Sequence, residues 1–124
     1  MKDTRYELAK ERHRNLAIWK TAFDLSNDIY TLTRQFPTEE QFGLTSQLRR
    51  AGVSVPSNIA EGSKRPDADF VRFLDYALGS LAEIDTQLLI AETQGYMVYS
   101  DELQRKIVGL SAGIRAFRAK LVSR

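Results

Sequence analysis

The chain is 124 residues long, carries a net charge of +2 and contains no cysteine. Its length suits one domain with a single modest core. The missing cysteine excludes disulfides, thiolate metal sites and cysteine nucleophiles, and fits a reducing, cytoplasmic setting. The lone histidine, His13, excludes a Ser-His-Asp triad, a conventional zinc site and the paired Glu-x-x-His motifs of a di-iron bundle. No catalytic residue, cofactor or metal is expected, and the phosphate-loop pattern is absent, since Gly62-Ser63-Lys64 lacks its earlier glycine and preceding strand.

Residues 1–14 alternate charges without a useful apolar stripe and are expected to be a flexible or frayed lead-in. Residues 15–124 are expected to form one domain. The N-terminus is charged where a signal peptide would have an apolar core, and no apolar run reaches the length of a membrane span. Over 16–36 the residues Ile18, Trp19, Ala22, Phe23, Leu25, Ile29, Tyr30 and Leu32 share one half of a helical wheel, which predicts a first helix. Thr38 before Glu39-Glu40-Gln41 reads as an N-cap with a capping box, so a second helix is predicted from there.

The second helix has its inward stripe at Leu44, Leu48, Ala51, Val55 and Ile59. Pro56 falls inside that stripe and cannot donate to the carbonyl of Gly52. Glycine at that position suits one helix kinked at Pro56; the alternative is a break over 54–56. The third helix is predicted from Pro66 or Asp67 to about Gln94, where Gly95 ends it. Ser100 caps a fourth, whose Leu103, Ile107, Leu110, Ile114, Phe117 and Leu121 repeat at the spacing of a bundle seam. Four such helices on short loops give an all-α, antiparallel up-down-up-down four-helix bundle.

Apolar residues are left over. Helix 4 has a second stripe of Gly109, Ala112, Ala116 and Ala119, and helix 2 has Phe42, Val53 and Ala60 away from its main stripe. Helix 1 offers a wider arc than one partner can cover. This surplus points to self-association, with Phe42, Val53, Gly109, Ala112, Ala116 and Ala119 at the oligomer interface.

The polar residues fall into two sets. Asp85 and Glu92 lie in the inward arc of helix 3, where a bare carboxylate is costly, so Asn58, Glu61 and Asp85 are expected in a structural polar network, with an arginine or asparagine of helix 2 satisfying Asp85. The cations Arg49, Arg50, Lys64, Arg65, Arg115, Arg118 and Lys120 are candidates for nucleic-acid phosphates, and residues 105–124 hold no Asp or Glu. For Arg49 and Arg50 a subunit contact is the open alternative. For the C-terminal cations the alternative is a solvated helix tail favoured by the helix dipole.

The chain resembles the four-helix-bundle proteins encoded in intervening sequences of bacterial 23S ribosomal RNA genes. The resemblance covers about 18–96. It is carried by Trp19-Lys20 with Ala22 and Leu25, by Phe36-Pro37-Thr38-Glu39-Glu40, and by Phe42-Gly43-Leu44-Thr45-Ser46-Gln47-Leu48-Arg49-Arg50-Ala51. It continues through Val55-Pro56-Ser57-Asn58-Ile59-Ala60-Glu61-Gly62, Arg72-Phe73-Leu74, Ala77-Leu78-Gly79-Ser80-Leu81-Ala82-Glu83 and Thr86-Gln87-Leu88. The turn after Gly62 is one residue shorter than the family's, and Pro66-Asp67 replaces its Ser/Thr helix start.

The resemblance implies a homo-oligomer, typically a ring of five; it does not imply a catalytic activity. A related branch acts as an accessory factor that binds nucleic acid and a reverse transcriptase in diversity-generating retroelements. Two functions follow as expectations: an RNA-associated oligomer using the seven cations above, or a protein-interaction scaffold whose partner is another protein, such as a reverse transcriptase.

Overall fold

The computed structural model describes residues 12–124. Four long helices, α1 (Ala17–Thr33), α2 (Leu44–Ser63), α3 (Asp67–Thr93) and α4 (Asp101–Ser123), follow a single helical turn at Arg12–Asn15, with a 3-10 turn at Thr38–Glu40 before α2. Among the described residues there is no strand, and no helix is long and apolar enough to cross a membrane. The lead-in expected over 1–14 lies mostly outside the described residues. Of the part that is described, Arg12 sets its guanidinium over the Phe70 ring of α3 and His13 meets Trp19 edge-on.

Each helix packs on its neighbours in order, and α1 closes the circuit against α4. Cross-helix pairs fix the directions. Arg49 meets Thr33 while Gly52 meets Ile29; Gln47 meets Gln87 while Ser54 meets Ser80. Asp67 meets Arg124 while Asp75 meets Arg118, and Ile18 meets Gly113 while Asp28 meets Lys106. In every pair the numbering rises on one helix as it falls on the other, so all four neighbours are antiparallel and the bundle runs up, down, up, down. α2 and α4 are diagonal.

The core follows the predicted stripes. Leu44, Leu48, Ala51, Val55 and Ile59 of α2 and Leu103, Ile107, Leu110, Ile114 and Leu121 of α4 are all buried. Each fully buried aliphatic side chain contributes roughly 1.5–3 kcal/mol relative to exposure. Helix α1 departs from expectation: Ile18, Ala22, Leu25 and Ile29 are buried, but Phe23 and Tyr30 are exposed. Two neighbouring helices cannot cover the whole apolar arc. Phe23 stacks on Trp19 along the outside, with ring centroids 5.2 Å apart.

The start of α2 corrects the capping-box reading. Thr38 and Gln41 belong to the 3-10 turn and its C-terminal flank, and the helix begins six residues after Thr38, at Leu44. The cap is supplied by Glu40, whose Oε1 accepts the Leu44 N–H at 3.1 Å while Oε2 accepts the Tyr96 hydroxyl at 2.9 Å. The carboxylate offsets the positive end of α2 and ties this loop to the one between α3 and α4.

From Leu44, α2 runs unbroken to Ser63 with the buried Pro56 inside it, which removes the alternative of two short helices. Gly52 has a role beyond making room for proline. A Cβ there would stand 2.9 Å from Ile29 Cδ1 and 3.7 Å from the Ser26 backbone, so glycine sets how closely α1 approaches α2.

Gly95 ends α3 at φ 80°, with its N–H on Glu92 O and the Tyr96 N–H on Ala91 O, a Schellman closure. Ser100 caps α4 through the Leu103 N–H, as predicted. Asp85 is not satisfied from α2. Its partner is the Tyr99 hydroxyl at 2.9 Å, and Glu92 accepts the Tyr99 N–H at 2.7 Å. Burial and, next, that hydrogen bond push the Tyr99 phenol well above its ordinary range. One buried tyrosine thus uses both carboxylates and fixes where α4 begins.

Two substitutions test these joints. Gly52→Val must displace the fully buried Ile29 and is expected to cost about 1–3 kcal/mol, read as a lower urea midpoint at unchanged slope; an unchanged midpoint rejects the close-approach account. Tyr99→Phe leaves the half-buried Asp85 without its donor, at about 1–3 kcal/mol. A Tyr99→Phe protein as stable as the parent contradicts the role assigned to that hydroxyl.

Candidate functional site

A groove of about 660 Å³ runs along the outer face of α2, walled on the α1 side by Tyr30. Residues three and four apart on α2 share this face, Thr45, Ser46, Arg49, Arg50, Val53 and Ser57, with Phe42 in the turn just before the helix. Arg49 is fixed in place. Its Nε donates to Thr33 Oγ1 at 2.9 Å and its guanidinium lies 4.6 Å above the centre of the Tyr30 ring. Thr33 in turn donates to the Ile29 carbonyl at 2.7 Å, so the arginine rests on a satisfied, buried hydroxyl.

Arg50 lies further round the helix and is exposed, with no carboxylate partner among the described residues. Phe42 at the mouth is 90% exposed and Val53 is 42% exposed. No Asp or Glu occurs anywhere from Gln41 to Ala60. The groove therefore combines a held cation, an exposed cation, exposed apolar surface and hydroxyls, with no carboxylate to neutralise it. Such a surface suits a partner carrying apolar groups and negative charge.

The seven sequence-predicted cations form no single patch. Arg49 and Arg50 face the groove, whereas Arg115, Arg118 and Lys120 lie on the diagonal helix. Lys64 and Arg65 sit just past the end of α2, and the antiparallel arrangement brings them to the same end of the bundle as Arg118 and Lys120. Arg65 and Arg118 are engaged by acids. Arg65 reaches Glu61 at 3.1 Å and lies over the Phe73 ring, and Arg118 makes a two-pronged contact to Asp75 at 2.7 and 3.1 Å.

Arg124 binds Asp67 in the same two-pronged way, at 2.6 and 3.0 Å. These hydrogen bonds raise the pKa of Arg118 and of Arg124, and the bond from Arg124 lowers that of Asp67. All these pairs are solvent-exposed and contribute little to stability. Arg115 and Lys120 keep exposed heads with no carboxylate partner among the described residues.

The expected polar network is not assembled. Asp85 belongs to Tyr99, and Glu61 belongs to Arg65. Asn58 donates to the carbonyl and hydroxyl of Ser54, whose hydroxyl meets Ser80 across α2 and α3 at 2.9 Å. Sequence reasoning missed Tyr99 and Ser80; the pairing of Ser54 with a small polar residue at an inward position of α3 was the available signal.

The expected interface residues are all outward or edge positions, but Phe42 stands in the turn before α2 and Val53 on α2, whereas Gly109, Ala112, Ala116 and Ala119 stand on the diagonal helix α4. They make two separate faces.

The family model of the 23S rRNA-intervening sequence protein matches residues 14–116 of this chain. The chain belongs to that family. The match takes in all of α1, α2 and α3, the groove included, and ends before Arg118 and Lys120. No curated protein matches the chain.

The Asp67–Arg124 contact carries a pH prediction. With the folded carboxyl depressed, the contact's contribution is present above the ordinary carboxylate range and is lost as pH falls through the lowered value. Arg124→Ala is expected to return the Asp67 titration, followed by carboxyl-carbon NMR, toward its ordinary position. An unmoved titration means that Arg124 is not its cause.

Proposed function

We propose that the protein is a non-enzymatic homo-oligomer of the cytoplasm, a ring of five as the family resemblance implies, which associates with RNA through its cationic end. The observation that carries self-association is the α2 groove, where Phe42 is left 90% exposed beside an arginine that the fold holds rigidly. A large aromatic side chain held in water on a concave face is the usual mark of a contact surface.

The RNA association is supported by how charge is distributed along the bundle. At the end where α2 and α4 finish, Lys64, Arg65, Arg115, Arg118, Lys120 and Arg124 stand with Glu61, Asp67, Asp69 and Asp75; at the opposite end Glu39, Glu40, Glu92, Asp101 and Glu102 stand with Arg34 and Arg105, so the first end is the more cationic. A ring whose copies point the same way gathers the cationic ends on one rim, and such a field attracts phosphates without reading bases. The pairing of Arg65 with Glu61 and of Arg118 with Asp75 favours the second reading, a protein-interaction scaffold, because those cations are already partly neutralised.

Salt separates the two. RNA binding at the rim is expected to weaken log-linearly with salt, and Arg115→Ala and Lys120→Ala are each expected to reduce the slope by about 1. Absence of binding to ribosomal RNA fragments at low salt rejects RNA association in favour of the scaffold. Native mass spectrometry showing only monomer at micromolar concentration rejects self-association.

A further inference from the structure

The outer face of α3 is the counterpart of the groove on α2. Opposite its core stripe, α3 presents Tyr76, Gly79, Ala82, Glu83, Leu89 and Ile90 to solvent. Leu89 is 48% and Ile90 46% exposed, and a side chain added at Gly79 would meet nothing within 4 Å. Charge on the two faces is segregated. No Lys or Arg occurs between Arg72 and Arg105, just as no Asp or Glu occurs from Gln41 to Ala60. Glu83 has no cation partner among the described residues, and neither has Arg50 a carboxylate.

We propose that the α2 groove of one copy receives the outer face of α3 of a second copy, with Arg50 opposite Glu83. This inference rests on the self-association reading and names the two surfaces that meet. The levels along the bundle support it. Gln47 is level with Gln87, and Ser54 with Ser80, so Arg50 between them is level with Glu83 and Ile84. In a closed ring whose axis parallels the helices, a neighbour is rotated without sliding and keeps those levels.

Glu83 of the neighbouring copy then faces Arg50, Ala82 faces Val53, and Leu89 and Ile90 come within a helical turn of Phe42. The neighbour's α3 also runs antiparallel to α2, as it does inside the bundle. The two surfaces differ, so the contact is heterologous, and because they belong to adjacent helices whose outer faces diverge, repetition closes a ring.

The alternative occupant is the small-residue face of α4. It is a poorer match, because Arg105 and Arg115 flank Gly109 and Ala112 and would set cations against Arg49 and Arg50.

Charge reversal tests the proposal, with light scattering after size exclusion for assembly and circular dichroism to show that each variant is folded. Arg50→Glu and Glu83→Arg are both exposed changes, and each alone is expected to weaken assembly by more than about tenfold. The double variant carrying both on one chain is expected to reassemble, because the two exchanged charges again attract each other across the contact between copies. Three results overturn the inference while leaving self-association standing: assembly untouched by both single changes, no recovery in the double variant, or dissociation caused by Arg115→Glu in place of Arg50→Glu. A monomeric parent protein removes the self-association reading itself.

Discussion

At Gly52 the absence of a side chain lets Ile29 come to 2.9 Å from where a Cβ would stand, and the separation of α1 and α2 follows from it. That separation places Thr33 under Arg49 and Tyr30 beneath its guanidinium. A wider spacing would take both supports away and leave Arg49 as one more solvated cation. The groove is therefore a product of packing, and its central arginine is organised by a contact one helical turn away. Arginine suits the position because its flat guanidinium can stack on the ring while its Nε–H is committed to a hydroxyl; lysine offers no such combination.

The two ends of the bundle are built differently. At one, carboxylates do the structural work: Glu40 caps α2 and takes the Tyr96 hydroxyl, while Asp85 and Glu92 both receive Tyr99. These bonds join the two loops at that end to the helices beneath them. At the other, cations outnumber acids, and the acids of early α3 hold Arg118 and Arg124 from α4. Exposed pairs of this kind add little stability, but they fix the direction of long side chains. A polyanion approaching that end would meet Arg115 and Lys120 unpaired and Arg118 already occupied.

Around the bundle, charge is divided by helix as well as by end. The stretch from Gln41 to Ala60 holds cations only, and the stretch from Phe73 to Gln104 holds acids only. Inside one copy these helices meet through neutral groups, Ser54 with Ser80 and Gln47 with Gln87, so their charges stay on the outer faces. Neutral contacts within a copy and opposite charges between copies would favour association in one register over random adhesion.

Much of the bundle was legible in the amino-acid sequence. The inward stripes of α2 and α4, the cap at Ser100, the stop at Gly95 and the helix continuing through Pro56 all depend on spacing within one segment, which a sequence displays directly. What failed depended on partners far along the chain. Phe23 and Tyr30 share an arc with true core residues, and only the positions of α2 and α4 decide which part of that arc is covered. Thr38 had the chemistry of a cap, but Glu40 reached the helix end and was held there by Tyr96, fifty-six residues on. Asp85 was recognised as needing a donor, and its donor came from a loop tyrosine. The seven cations looked like one set and are divided among the α2 groove, the end of α2 and the diagonal helix α4. The sequence by itself determined which residues form helices and which face each turns inward, because periodicity is local. Only the tertiary structure decided which polar groups meet and which surfaces remain open, because those depend on distances between helices that no single stretch encodes.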